Sequence, residues 1–239
     1  MTFSDTEFYY SSFQINSNEQ IKIIGEEAKH ISAVMRHKVD DEIYVTNGNG
    51  KVFKCRITSI NKNEILLKLI DNYTLQNKYS SITFYIPILK FADRFEFALE
   101  KSAELGIKNY KIFSADKSHN RGVKIDRWQN ILISAMKQSL QSFIPKVEFI
   151  ELKNQNIDND RNIIFEQKAD LSFSNFLLEL KGKLSKSENI NLFFGPEAGL
   201  TKSDIDKIAN PVFVKMNDNR LRSETAIITA ASLITNILD

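Results

Sequence analysis

The strongest constraint in this 239-residue chain is a change of pattern near residue 80. Before it, short apolar stretches are separated by turn residues at hairpin spacing. After it, apolar runs of strand length alternate with amphipathic runs of helical length. Hairpins imply antiparallel pairing in a small β-rich module. The alternation implies a mostly parallel sheet with helices on both faces, because parallel neighbours need a crossover of a dozen or more residues.

In the first region the spacing predicts strands at Gln20 to Ile24, Glu42 to Thr46, Lys51 to Ser59 and Glu64 to Ile70, with one helical stretch at Glu26 to Arg36. Asn47-Gly48-Asn49-Gly50 is a strong hairpin signal, since Asn and Gly accept positive φ. In the second region strands are expected at Ile82 to Leu89, Tyr110 to Phe113, Val147 to Leu152, Ile163 to Phe165, Asn191 to Phe194 and Val212 to Met216. Helices are expected at Phe95 to Leu105, Arg127 to Leu140, Phe173 to Leu184, Ser203 to Ala209 and Thr225 to Leu238. The boundary falls in the polar cluster Asn72 to Ser81, giving domains over 1–75 and 76–239.

Composition narrows the classes. Lys and Arg number 32 against 30 Asp and Glu, and 42% of residues are hydrophobic, which excludes a disordered chain and a polycation. The net of +2 is unevenly spread: residues 1–75 carry −1, residues 76–155 carry +5 and residues 156–239 carry −2. The positive excess includes Lys90, Arg94, Arg121 and Lys124, a local basic face of the kind that meets a phosphate backbone. Cys55 is the single cysteine, and His30, His37 and His119 lack ligand spacing, so no metal site is expected. The longest apolar candidate for a membrane span, Ala226 to Leu238, is broken by Thr229, Ser232, Thr235 and Asn236. With Thr2, Ser4, Asp5 and Glu7 at the start there is no signal peptide either, so a cytoplasmic location without membrane attachment is expected.

Three segments have chemical potential. Phe193-Phe194-Gly195-Pro196-Glu197-Ala198-Gly199-Leu200 runs a strand through a Gly-Pro turn into a helix, at the strand end where open α/β sheets bind ligands. Its glycines let backbone approach a ligand closely and Pro196 stiffens the turn. It is neither a phosphate-binding Gly-Lys-Ser/Thr loop nor a spaced-glycine dinucleotide fingerprint. Met216-Asn217-Asp218-Asn219-Arg220-Leu221-Arg222-Ser223-Glu224-Thr225-Ala226 ends another strand and opens the last helix, whose first N–H groups have no partner within the helix. Read structurally, Ser223 is its N-cap and Glu224 an acid at the positive end of the dipole. Lys90 to Gly106 forms the third, with Asp93 as N-cap, Glu96 at the capping-box position, Gly106 as the stop, and Lys90 and Arg94 as surplus cations beside a strand end.

With these segments in this order, the chain resembles the RsmE family of 16S rRNA (uracil-N3)-methyltransferases in the SPOUT superfamily. The resemblance spans nearly the whole chain. It rests on His30-Ile31-Ser32-Ala33-Val34-Met35-Arg36, on Asp93-Arg94-Phe95-Glu96 through Glu100-Lys101-Ser102-Ala103-Glu104-Leu105-Gly106, and on Arg127-Trp128, Ala135-Met136-Lys137-Gln138-Ser139 and Pro145. It closes on Gly195-Pro196-Glu197-x-Gly199 and on Arg220-Leu221-Arg222-Ser223-Glu224-Thr225-Ala226. Lys137 stands where the family commonly has Glu, and Met216-Asn217 where it commonly has Leu-Gly.

The resemblance implies an α/β SPOUT domain with a trefoil knot behind a PUA-like β-barrel, a homodimer, and S-adenosylmethionine as cofactor. It places Phe165, Gly195, Pro196, Glu197, Gly199, Met216, Leu221, Ser223 and Thr225 around the cofactor, and Arg36, Lys90, Arg94 and Arg121 against RNA. The implied substrate is a uridine of the decoding region, position 1498 in the usual rRNA numbering, in 16S rRNA or the assembled small ribosomal subunit. Because uracil N3 is a poor nucleophile until its proton leaves, the chemistry needs a cation for the uracil anion and a proton acceptor, for which Arg222 and Glu224 are the candidates. Two other readings stand beside this one: a SPOUT methyltransferase for another RNA site, and a non-catalytic rRNA-binding assembly factor, motivated by the Cβ of Asn217.

Overall fold

The computed structural model describes residues 3, 6–12, 20–118, 122–154, 161–182 and 188–238. It divides into two compact units, Met1–Lys78 with Met136–Ile144, and Tyr79–Ala135 with Pro145–Asp239.

The first unit holds strands β1 (Phe8–Tyr10) and β2 (Ile21–Ile24), helix α1 (Glu26–Lys29) running on as a π-helical turn (His30–Val34), then β3 (Glu42–Thr46), β4 (Lys51–Asn61) and β5 (Glu64–Thr74). They form one sheet in the order β1-β3-β4-β5-β2, antiparallel except where β1 runs parallel to β3. Alternate residues face inward, so Ile43 and Val45, Phe53, Cys55 and Ile57, and Ile65 and Leu67 make one core. The two edge strands add Tyr9, Ile21 and Ile23 to that same core, so the sheet curls around it. Register shifts at Lys54/Cys55 and Ile57/Ser59 supply the bend, since a bulge sharpens local twist. Strand β1 was not foreseen: three residues carry no readable period, and their pairing partner lies more than thirty positions away.

The Asn47–Gly50 turn is closed by residues 142–144 of the same unit. Gly50 donates its N–H to Ser142 O (2.9 Å), and Ile144 N–H donates to Gly48 O (2.9 Å). Lys137 lies 2.7 Å from Glu27 Oε2, whose other oxygen accepts the Tyr10 N–H at 2.8 Å. The charge at position 137 therefore has its complement on α1.

The second unit runs β6 (Ile82–Pro87), α2 (Ala92–Glu104), β7 (Asn109–Phe113), α3 (Ile125–Gln138), β8 (Lys146–Ile150), a 3-10 turn (Leu152–Asn154), β9 (Arg161–Phe165), α4 (Phe173–Leu180), β10 (Ile190–Phe193), α5 (Lys202–Ile205), β11 (Val212–Val214) and α6 (Ser223–Leu238). The sheet order is β11-β9-β10-β6-β7-β8, and every pair is parallel. On one face Phe84, Ile112 and Leu192 pack with Leu99 of α2, Leu132 of α3, Phe176 of α4 and Ile234 of α6. On the other, Tyr85, Phe113, Ile164 and Phe193 meet Leu152, Ile208 and the short α5. The expected two-sided helical cover is thus lopsided, because the helix expected over Ser203 to Ala209 is only four residues long.

Two local expectations need correction. The N-cap of α2 is Phe91, with no side-chain cap, and not Asp93, which lies in the first turn. Glu96 makes no capping box because it takes both oxygens to the Arg127 guanidinium on α3, at 2.6 and 2.7 Å. Gly106 ends the helix as expected, at φ 101°.

Candidate active site

The sheet order brings the C-terminal ends of β11, β9 and β10 side by side, where the connecting loops of a parallel sheet form ligand crevices. Between them lies a cavity of about 410 Å³. Its apolar wall includes Ile164, Phe165, Phe194, Leu200 and Leu221, and its polar side Glu166, Gln167, Asn217, Asn219 and Arg220. Phe165 is held by stacking on Phe194 (4.8 Å between centroids) and edge-on against Phe173 (5.0 Å).

Each loop has a local reason for its course. A Cβ on Gly195 would meet Gly199 Cα at 3.2 Å and Leu200 N at 3.3 Å, so a larger residue there would make the loop backbone give by a few tenths of an ångström. Gly199 sits at φ 75° and donates to Pro196 O at 2.8 Å. Glu197 Oε1 accepts the Lys90 N–H at 3.0 Å, pinning the loop to the end of β6. In the β11 loop Asn217 Oδ1 accepts the Asn219 N–H at 3.0 Å. Asn217 is not among the residues with positive φ, so its Cβ adds no left-handed strain there. The two loops are tied together by Ser223, which donates its hydroxyl to Gly195 O at 2.8 Å. Ser223 is therefore a bridge between loops and the first residue of the last helix, and not the N-cap that the sequence suggested.

Behind the cavity, α5 is fastened by a carboxylate cluster. Thr201 and Asp204 form a capping box. The Thr201 hydroxyl also donates to Asp116 at 2.6 Å, and Asp204, fully buried, accepts the Asp116 N–H at 3.1 Å. The Thr201 hydrogen bond and then the Lys207 ammonium hold the Asp116 carboxyl below the ordinary carboxylate range.

Eight of the residues expected around a cofactor line the cavity: Phe165, Gly195, Pro196, Glu197, Gly199, Met216, Leu221 and Ser223. Thr225 does not line it, and Arg220, not singled out for binding, does. Arg222 and Glu224, expected at the chemistry, do not line it; they lie on either side of Ser223, which does. The Glu224 side chain is 13% exposed and lies between Arg94 Nε at 3.7 Å and Arg222 Nη1 at 4.0 Å. Lys90 and Arg94 flank Phe91; the Lys90 N–H is bonded to the cavity-lining Glu197 and Arg94 reaches Glu224. Arg36 is exposed in the first unit at φ 59°. Arg121 lies outside the described residues. Among the described residues no group of three or more His, Cys, Asp or Glu side chains is placed to hold a metal ion, and no helix is long and apolar enough to cross a membrane.

A β-rich module ahead of a parallel sheet with a glycine-lined crevice at its strand ends matches two known domain types. The family model for the RNA methyltransferase domain matches residues 76–235, and that for the RNA methyltransferase PUA domain matches residues 23–70. The chain belongs to the RNA methyltransferase domain family.

Among similar proteins, ribosomal RNA small subunit methyltransferase E of Bacillus subtilis is 28% identical over 236 residues, covering 93% of this chain and 92% of that protein. The protein of the same name from Rickettsia conorii is 27% identical, covering 94% and 95%. Among solved structures, ribosomal RNA small subunit methyltransferase E of Neisseria gonorrhoeae bound to S-adenosylmethionine superposes with a TM-score of 0.84 at 23% identity, covering 97% of each chain. A putative methyltransferase from Legionella pneumophila, also in complex with that cofactor, gives 0.82 at 20% identity over 97% of each chain.

Proposed function

We propose that this chain methylates N3 of a uridine in the decoding region of 16S rRNA, position 1498 in the usual rRNA numbering, using S-adenosylmethionine. The observation that carries the reading is the Ser223 to Gly195 bond: it closes a glycine loop and a helix start over one cavity, with two arginines and a carboxylate next to Ser223. The names of the relatives and the cofactor of the structural neighbours support it.

The residues present fit that cofactor. A volume of about 410 Å³ is in the range of small-molecule pockets. Phe165, Phe194 and Leu221 offer apolar surface to a flat base, and Gly199, where a Cβ would meet nothing within 4 Å, leaves backbone open to polar groups. When bound, the group supplies an activated methyl on a sulfonium sulfur.

The protein's own residues then handle the nucleophile. Uracil N3 attacks only after losing its proton, so negative charge develops on the ring. The Arg222 guanidinium, 67% exposed and tethered through Glu224, is free to swing over the mouth and stabilise that charge. Glu224, next to the cavity-lining Ser223, is the acidic candidate for that proton. Its engagement with Arg94 and Arg222 suits an anchor first, with the N3 proton passing to it or to a water at the mouth. Lys90 and Arg94 hold the RNA backbone, with Arg121 and Arg36 as further contacts.

The finer features of the resemblance belong to this reading. They are a PUA-like barrel over 1–75, a catalytic domain over 76–239 whose last part threads a trefoil knot, a homodimer, and a cytoplasmic site of action on 16S rRNA or the small subunit. The strand order supports the threading: β10 inserts between β6 and β9, and the chain then passes beyond β9 to β11 before α6 returns against α2 and α4.

Calorimetry with S-adenosylmethionine and mass spectrometry of nucleosides from 16S rRNA test the proposal. A deletion strain is expected to lack 3-methyluridine at this site, and its persistence would sink the reading. Arg222→Ala is expected to lower methyl transfer by about 10²- to 10³-fold with cofactor affinity retained; wild-type turnover would remove Arg222 from the chemistry.

A further inference from the structure

We propose that Phe91 is a base-stacking residue, holding a single-stranded nucleobase of the RNA substrate at the mouth of the cavity. The inference rests on the RNA methyltransferase reading above. It adds a recognition element of a different chemistry, an aromatic face where only cations were expected.

Phe91 is placed where folding gains little from a phenylalanine. It is 39% exposed, outside the buried core. It holds the N-cap position of α2 in extended geometry and makes no side-chain cap, at a position where Ser, Thr, Asp or Asn satisfies a free N–H. A residue that makes no cap and lies outside the core is nonetheless held in place through its neighbours. The backbone N–H of Lys90, one residue before, is bonded to Glu197 of the cavity loop, and Arg94 reaches Glu224 beside the cavity-lining Ser223.

The surroundings of the ring define what it recognises. Arg94 Cζ lies 4.6 Å and Lys90 Nζ 5.5 Å from its centroid. An aromatic face among cations is the arrangement that binds single-stranded nucleic acid: the base stacks on the ring and the cations meet its phosphates. At an exposed site a cation is held to a ring only weakly. An arriving base can therefore displace one, and the displaced charge stays beside the backbone. Phe97, also exposed on α2, differs in setting: it lies beside Lys101 and faces a groove lined by Asp93, Glu96 and Glu100, of which, among the described residues, only Glu96 is paired there with an arginine, Arg127. A stacking residue beside the cavity also serves the chemistry, because a target base must leave its helical stack to reach a cofactor.

The test compares Phe91→Ala and Phe91→Trp in the full-length protein, with a fluorescein-labelled fragment of the 16S rRNA decoding region. Anisotropy reads RNA binding, calorimetry reads S-adenosylmethionine binding, and nucleoside mass spectrometry reads methyl transfer. Phe91→Ala is expected to weaken RNA binding and raise KM for RNA by about tenfold or more, with kcat and cofactor affinity little changed. Phe91→Trp is expected to regain the binding lost in Phe91→Ala. Unlabelled RNA should quench its added indole emission and shield it from iodide, whereas Trp128, 3% exposed, gives the wild type no such signal. RNA affinity in Phe91→Ala equal to wild type, or an indole that RNA neither quenches nor shields, would overturn the stacking role. A wild-type protein that binds RNA with these Phe91 effects but yields no methylated nucleoside would overturn the function proposed above and leave the stacking supported.

Discussion

Two turns in this molecule carry the same punctuation and end differently. Asn47-Gly48-Asn49-Gly50 joins β3 to β4, and Gly195 to Gly199 joins β10 to α5; each holds two glycines, and Gly48, Gly50 and Gly199 all have positive φ. At the hairpin the space beside the glycines is filled. A Cβ on Gly48 would lie 2.3 Å from Ile144 Cγ1, and one on Gly50 2.3 Å from Phe143 Cζ. At the strand end Gly195 meets only its own loop's backbone, and a Cβ on Gly199 would meet nothing within 4 Å. Glycine in the first turn admits side chains of the protein itself. In the second it leaves backbone facing an open cavity, the arrangement a ligand requires.

The largest effect is expected from Gly50→Ala, which combines left-handed strain with a clash against a packed ring. About 3 kcal/mol of destabilisation follows, lowering the unfolding midpoint by on the order of 10 °C. A midpoint within 2 °C of wild type, roughly the scale of a neutral surface change, would mean that the ring of Phe143 does not demand glycine. Gly195→Ala inverts the pattern. The backbone at Gly199 and Leu200 must give by a few tenths of an ångström, so cofactor affinity by calorimetry is expected to fall about tenfold, or about 1.4 kcal/mol, while the unliganded midpoint moves little. Equal affinity would show that the loop's close approach is not used in binding.

Ser223→Ala removes the tie between the two loops and leaves Gly195 O without that partner, at a cost of about 1 kcal/mol. Cofactor affinity is the expected place for that loss, and a change confined to the thermal midpoint would make the bond purely structural. The smallest effect concerns Asp116. Because its folded-state carboxyl is held below the ordinary range, its contribution is present above the unfolded value near about 3.9 and is lost as pH falls through the folded one. Asp116→Asn is expected to flatten the fall of the thermal midpoint in that acidic window slightly, and an unchanged slope would show that the Thr201 and Lys207 contacts stabilise nothing measurable.

Most elements of the second unit were legible because their apolar periods are long and flanked by turn residues, and the loops Gly195 to Leu200 and Met216 to Thr225 were legible as strand ends running into helices. What escaped depended on partners distant in sequence. Strand β1 exists through β3. Asp93 reads as a cap and Glu96 as its box partner until Arg127, on another helix, takes the carboxylate. Lys137 reads as a departure until Glu27 appears 2.7 Å away. Arg222 reads as the arginine of the site, yet Arg220 lines the cavity, while Arg222, just before the start of α6, lies 4.0 Å from Glu224 outside the lining.

The sequence by itself determined the two-part plan, the parallel order of strand and helix, and the identity of the loops with chemical potential, since periodicity and the φ freedom of glycine are properties of neighbouring residues. Which glycine turn is packed shut and which stays open, which arginine lines the cavity, and that the Lys90-Phe91-Arg94 cluster is bonded to Glu197 and Glu224 beside it were decided only by tertiary structure. These depend on strand order and on through-space contacts between segments far apart in the chain, and no local pattern encodes them.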